Sequence, residues 1–91
     1  MSFFWTRINV GDYEAWKPMF DVDAPRARAN AAGHTIFRNI DNPGEVFLLV
    51  EFASADEARA GRERLLQSGV LDRFDDKSGP TIVEEAERVA Y

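Results

Sequence analysis

The chain has 91 residues, 45% hydrophobic and 30% charged, with a net charge of −5 and no cysteine. That length makes one domain, residues 1–91, whose core is small enough to gain from a partner. The acidic balance excludes a nucleic-acid surface, which needs a basic stripe, and the missing cysteines exclude disulfides, thiolate catalysis and Cys-based metal sites.

No stretch of 18 apolar residues occurs, so no membrane span is expected. Met1-Ser2-Phe3-Phe4-Trp5 has neither the basic region nor the long apolar region of a signal peptide. A cytoplasmic protein is the expectation. With a single histidine, a His-rich metal site is excluded too, and the Asp21/Asp23 and Asp75/Asp76 pairs read as solvated loop charges.

Residues 2–10 are aromatic and β-branched and predict a first strand. Gly11 breaks it, and Asp12 suits a helix N-cap with Glu14 in the first turn. Tyr13, Trp16 and Phe20 then fall on one helical stripe. Pro18 predicts a kink. Asp23 and Pro25 predict a second short helical piece through Ala27 and Ala31, so that residues 12–32 form one layer ending at Gly33.

Residues 34–41 predict a second strand, and Asn42-Pro43-Gly44-Glu45 a type II turn, with Pro and Gly in the positions that turn favours. Strand three, residues 45–53, carries Val-Phe-Leu-Leu-Val-Glu-Phe at 46–52, apolar on both alternating faces. Since successive side chains in a strand point to opposite sides, both faces of the sheet need cover. Ser54 to Glu57 is a capping box opening a helix to about Ser68, packed through Ala58, Gly61, Leu65 and Leu66. Gly69 ends it, and Val70, Leu71 and Phe74 form an apolar turn closing one end of the core. After a polar loop at 75–80, a last strand runs from Thr81 to about Val89, where Glu84, Glu85 and Glu87 blunt an edge.

The order β-α-β-β-α-β predicts an α+β fold of the ferredoxin-like type, a four-stranded antiparallel sheet with both helices on one face. The other face is left for a second copy. Pairing strands two and three through the 42–45 turn sets Ile40 opposite Phe47, Arg38 opposite Leu49 and Ile36 opposite Glu51. His34, Arg38, Phe47, Leu49 and Glu51 then share one face, with an Arg38–Glu51 ion pair fixing register. A one-residue slip breaks this assignment. The alternative is the reversed sheet, in which Phe47 and Leu49 lie under the helices and His34, Arg38 and Glu51 in a sheet–helix cavity.

The chain resembles the dimeric α/β-barrel proteins, nearest to the antibiotic-biosynthesis-monooxygenase-like and small cyclase-like bacterial proteins. The resemblance rests on the element order and on Asp12-Tyr13-Glu14-Ala15-Trp16-Lys17, Phe37-Arg38-Asn39 before Asp41-Asn42-Pro43, and Val50-Glu51-Phe52 before the capped helix. It implies two sheets face to face in an eight-stranded barrel with helices outside. It also implies cavities for quinol-type oxygenation, isomerisation, decarboxylation or haem breakdown. The haem branch is disfavoured, because the second helix has no histidine and Phe52-Ala53 stand where that branch has a tryptophan.

The resulting expectation is a homodimer without a cofactor that oxygenates, cyclises or isomerises a small aromatic or polyketide-like metabolite. His34 would be the base and Arg38 the stabiliser of an oxyanion. Tyr13, Trp16, Phe20, Asn39 and Glu51 would contact the substrate. The alternative is a non-catalytic dimeric binding or accessory module, in which His34 and the Tyr13–Trp16–Phe20 stripe are packing residues.

Overall fold

A computed structural model describes Met1–Tyr91. Strand β1 (Ser2–Asn9), helix α1 (Tyr13–Val22), strands β2 (Gly33–Arg38) and β3 (Glu45–Phe52), helix α2 (Ala55–Ser68), a 3-10 turn (Val70–Arg73) and strand β4 (Lys77–Glu84) follow in order. The sheet is antiparallel with strand order β2-β3-β1-β4, a ferredoxin-like α+β fold.

The alternation of buried and half-buried residues along β1 and β3 builds this arrangement. Phe4, Thr6 and Ile8 from β1 and Val46, Leu48, Val50 and Phe52 from β3 are buried on the helix side. Phe4, Phe52, Val46 and Val50 are fully buried, each contributing about 1.5–3 kcal/mol on the transfer scale. Ala58 of α2 and Ala27 join one end of this core; Trp16 of α1 and Leu71 of the 3-10 turn join the other.

Both helices are capped where the sequence puts caps. Asp12 accepts from the Glu14 and Ala15 amides, and Ser54 from the Glu57 amide. The reciprocal half of the Ser54–Glu57 box is not made. Helix α1 runs through Pro18 to Asp23, whose left-handed backbone (φ 50°) ends it.

Four expectations are corrected. Residues 23–32 form turns instead of a second helix: Asp23 spends its carboxylate on the Ala27 and Arg28 amides, and Arg26 is left-handed (φ 58°). This segment packs so tightly on α2 that a Cβ on Gly61 would lie 2.6 Å from the Ala27 carbonyl oxygen. Strand β4 begins at Lys77 and ends at Glu84, so Glu85 and Glu87 lie beyond it. Its Gly79–Pro80 peptide is cis and sits at a break in register with β1, in an edge strand where the sheet tolerates proline.

The third correction concerns the turn. Glu45 N donates to Asn42 O, closing residues 42–45, but Gly44 lacks the left-handed φ of a type II turn. Glycine is needed there because a Cβ would meet Gly11 O at 2.6 Å. The fourth is the register. Phe37 pairs with Phe47, Thr35 with Leu49 and Gly33 with Glu51, three residues away from the expected pairing. An odd shift turns β2 over. His34, Ile36 and Arg38 therefore face the helices, while Phe47, Leu49 and Glu51 stay on the uncovered face.

Candidate functional site

Helix α1 stands off the sheet, none of its Cα atoms coming within 8 Å of a strand or of α2. Its aromatic side chains span the gap. Tyr13 and Trp16 lie with ring centres 5.8 Å apart, Trp16 and Phe20 5.0 Å apart, and Phe20 meets the His34 ring edge-on at 5.1 Å. Arg38 lies 4.7 Å over Tyr13 at one end, and Arg28 3.7 Å over Phe20 near the other, both at cation–π distance. The Arg28 guanidinium also donates to the Phe20 carbonyl and faces Asp23 at 3.7 Å.

Behind this stripe is a cavity of about 90 Å³ between the sheet and the helical layer. Its walls are mostly apolar: Phe4, Ile8 and Leu48 from the sheet, Trp16, Met19 and Phe20 from α1, and Leu71 and Phe74 at the end. Thr6 is the sheet's polar contribution. It is 0% exposed, and its Oγ1 has no hydrogen-bond partner. Asp23, Arg28 and Arg73 supply the charged part of the lining. Buried hydroxyls are ordinarily paired, because an unpaired one costs about 1–3 kcal/mol.

The uncovered face of the sheet is ordered in rows. Gly33, Glu51, Phe3 and Val83 lie across it, then Thr35, Leu49, Trp5 and Thr81, then Phe37, Phe47, Arg7 and Ser78. A groove of about 510 Å³ runs over the first rows, from Phe37 and Thr35 past Leu49, Glu51 and Phe3 to Val83, Glu85 and Arg88. At the opposite end Arg7 donates to Glu45 at 2.7 Å and to Asp76 at 2.6 Å, and Asn39 Nδ2 donates to Glu45 at 2.8 Å. The hydrogen bonds from Asn39 and Arg7 hold the Glu45 carboxyl below its usual range; Arg7 does the same to Asp76. The two acids in turn push the Arg7 guanidinium up.

The expected site residues thus fall into two groups. Tyr13, Trp16, Phe20, His34 and Arg38 come together along α1 and β2, on the helix side. Asn39 and Glu51 lie on the other face, Asn39 bound to Glu45 and Glu51 in the groove. The proposed Arg38–Glu51 pair is not formed, since the two side chains leave opposite faces; Arg38 instead lies 3.9 Å from Glu14. His34 and Arg38 are four residues apart on one strand, about 13 Å along it. The His34 pKa is lowered from 6.5 by burial of its ring and by the Arg28 and Lys17 charges, so its imidazole is neutral near pH 7. Neither His34 nor Arg38 lines the cavity, and His34, on the edge strand, borders the groove instead.

Sequence reasoning passed over Thr6, Arg7 and Glu45 as site residues, and it read Asp76 as a solvated loop charge where the structure bonds it to Arg7. Arg7 carried a signal: it is the single charge in a strand of otherwise uncharged residues, and such a charge needs a partner. Thr6 carried none, because a threonine in a strand is unremarkable until its hydroxyl is found unpaired. No group of three or more His, Cys, Asp or Glu side chains is placed to hold a metal ion, and no helix is long and apolar enough to cross a membrane.

No protein-family model matches the chain, and no curated protein does either. The fold is shared with protein Atu4242 from Agrobacterium tumefaciens, a structural-genomics target solved by X-ray crystallography. The TM-score is 0.62 over 94% of both chains, at 15% identity. At that identity the likeness is one of fold.

Proposed function

We propose that this chain works as a sheet-to-sheet homodimer, an eight-stranded barrel with its helices outside, whose subunits each take a small aromatic metabolite into the sheet–helix cavity. The observation that carries the reading is the two-sidedness of the sheet. One side holds a mostly apolar cavity. The other presents Phe37 exposed and Phe3, Trp5, Phe47, Leu49 and Val83 half-buried, an apolar face of the kind that marks an interaction site. Four strands about 4.8 Å apart and up to eight residues long cover roughly 500 Å² in projection. Side-chain relief brings that toward the roughly 800 Å² per partner of a standard stable interface.

Binding takes precedence over catalysis because Trp16, Phe20 and Phe74 close around the cavity while His34 and Arg38 stand outside it. The cavity also suits a single ring rather than a polycyclic substrate, being well under the roughly 300–1,000 Å³ of typical ligand pockets. The second reading is a catalytic version, a cofactor-independent oxygenase, cyclase or isomerase in which His34, set edge-on against Phe20, would serve as the general base.

Light scattering at micromolar concentration tests the assembly: twice the 10.3 kDa chain mass is expected, and a clean monomer refutes it. An NMR screen of monocyclic aromatics tests the cavity. Absence of any shift at Leu48, Leu71 or Trp16 refutes that part. Turnover of anthrone, quinol and lactone substrates, with His34→Ala as control, tests the catalytic version. Unchanged turnover in the variant removes His34 from the chemistry.

A further inference from the structure

We infer that the Thr6 hydroxyl is the polar anchor of the sheet–helix cavity and selects a neutral monocyclic aromatic carrying a ring hydroxyl, a phenol. The inference rests on the cavity-binding reading above and adds to it the chemistry of the ligand. Three observations support it. Thr6 lines the cavity from the sheet, pairing with Leu48 of β3 on the helix side. It is 0% exposed and its Oγ1 has no partner, so a complementary group entering the cavity relieves an existing deficit. Around it the walls are aromatic, from Phe4, Trp16, Phe20 and Phe74, and favour edge and offset contacts with a ring.

The polar end of the ligand is neutral. No cation contacts Thr6 Oγ1, and a carboxylate seated there would be a buried unpaired charge. Arg28 is already engaged by Asp23 and the Phe20 carbonyl. A phenol fits on each count, since its hydroxyl both donates and accepts, matching a threonine hydroxyl that does the same.

The test compares phenol and toluene, which differ by hydroxyl against methyl on one ring. Each is titrated by NMR into wild type, Thr6→Val and Thr6→Ser. A single hydrogen bond of ordinary strength changes the phenol-to-toluene affinity ratio roughly five- to tenfold. Thr6→Val, which keeps the shape and removes the hydroxyl, is expected to lower the ratio by that factor. Thr6→Ser is expected to keep it. Intermolecular NOEs in the wild type, from the phenol ortho protons to the Thr6 methyl, are expected as well and need no variant to fold. Equal ratios in wild type and Thr6→Val overturn the anchor while leaving the cavity reading intact. So do NOEs confined to the Met19 methyl and Arg73, or benzoate binding more tightly than phenol with no sensitivity to Thr6. Failure of every ring to bind overturns the cavity reading itself, and the anchor with it.

Discussion

Gly61 sits in the middle of α2, where replacing glycine by alanine ordinarily stabilises a helix by about 1 kcal/mol. Here the opposite sign is expected. The added methyl would lie 2.6 Å from the Ala27 carbonyl oxygen and 2.8 Å from the Phe52 ring. The first neighbour is backbone. The second belongs to a fully buried side chain with no room to swing. Overpacking of this kind costs about 1–3 kcal/mol, and with backbone on one side and a fully buried ring on the other the upper half of that range applies, so after the helix gain Gly61→Ala is expected to lose about 1–2 kcal/mol. In a domain this size each kcal/mol moves Tm by about 4–8 °C, giving a fall of roughly 5–15 °C. Circular dichroism of reversible thermal unfolding reads it, with exposed Ala60→Gly as a control reporting helix propensity alone. Residues 23–32 should also exchange amide hydrogens faster in the variant, since they are what the methyl displaces. A Tm equal to or above wild type would refute the close approach of α2 to Ala27. It would also loosen the cavity wall that Pro25, Ala27 and Arg28 supply.

Trp5→Glu places a charge at the centre of the uncovered face and should yield a monomer by light scattering with an unchanged circular dichroism spectrum; a dimer would refute sheet-to-sheet pairing. His34 has its folded pKa below the unfolded 6.5, so the unfolded chain binds more protons, and stability should fall as pH drops through that value. His34→Gln should flatten this slope in urea titrations between about pH 7 and 5, and a slope that persists would reassign it. Glu45 and Asp76 are depressed carboxyls, so their contribution is present above the usual carboxylate range and is lost as pH falls. Arg7→Met should therefore narrow the difference in urea midpoint between pH 7 and pH 3; an unchanged difference would show that Arg7 does not set the acid limb.

What the sequence disclosed followed from local rules. Asp12, Ser54 and Gly69 mark helix ends through their own hydrogen bonds or backbone, and Val46 to Phe52 reads as a strand with apolar residues on both faces. Strand register was not local. It depended on where β2 ends and the turn begins: Asn39 N still donates to Glu45 O on the rung after Arg38 and Val46, and the chain turns only beyond it, where the Asn39 side chain takes the Asp41 amide. Shifting three residues turned β2 over, dissolved the Arg38–Glu51 pair and moved His34 against Phe20. The turns at 23–32 were hidden for a similar reason. Asp23 fits a helix cap by type, and only tertiary packing on Gly61 shows its carboxylate closing a tighter loop.

Helix α1 rests on its side chains and not on its backbone. The room beneath it is therefore set by Trp16, Met19 and Phe20, three positions on one short element, while the face proposed for a second copy is on the far side of the sheet. Exchanging those three would rescale the cavity without touching that face. On the proposed reading, selectivity and oligomerisation are thus free to diverge independently among chains built on this plan.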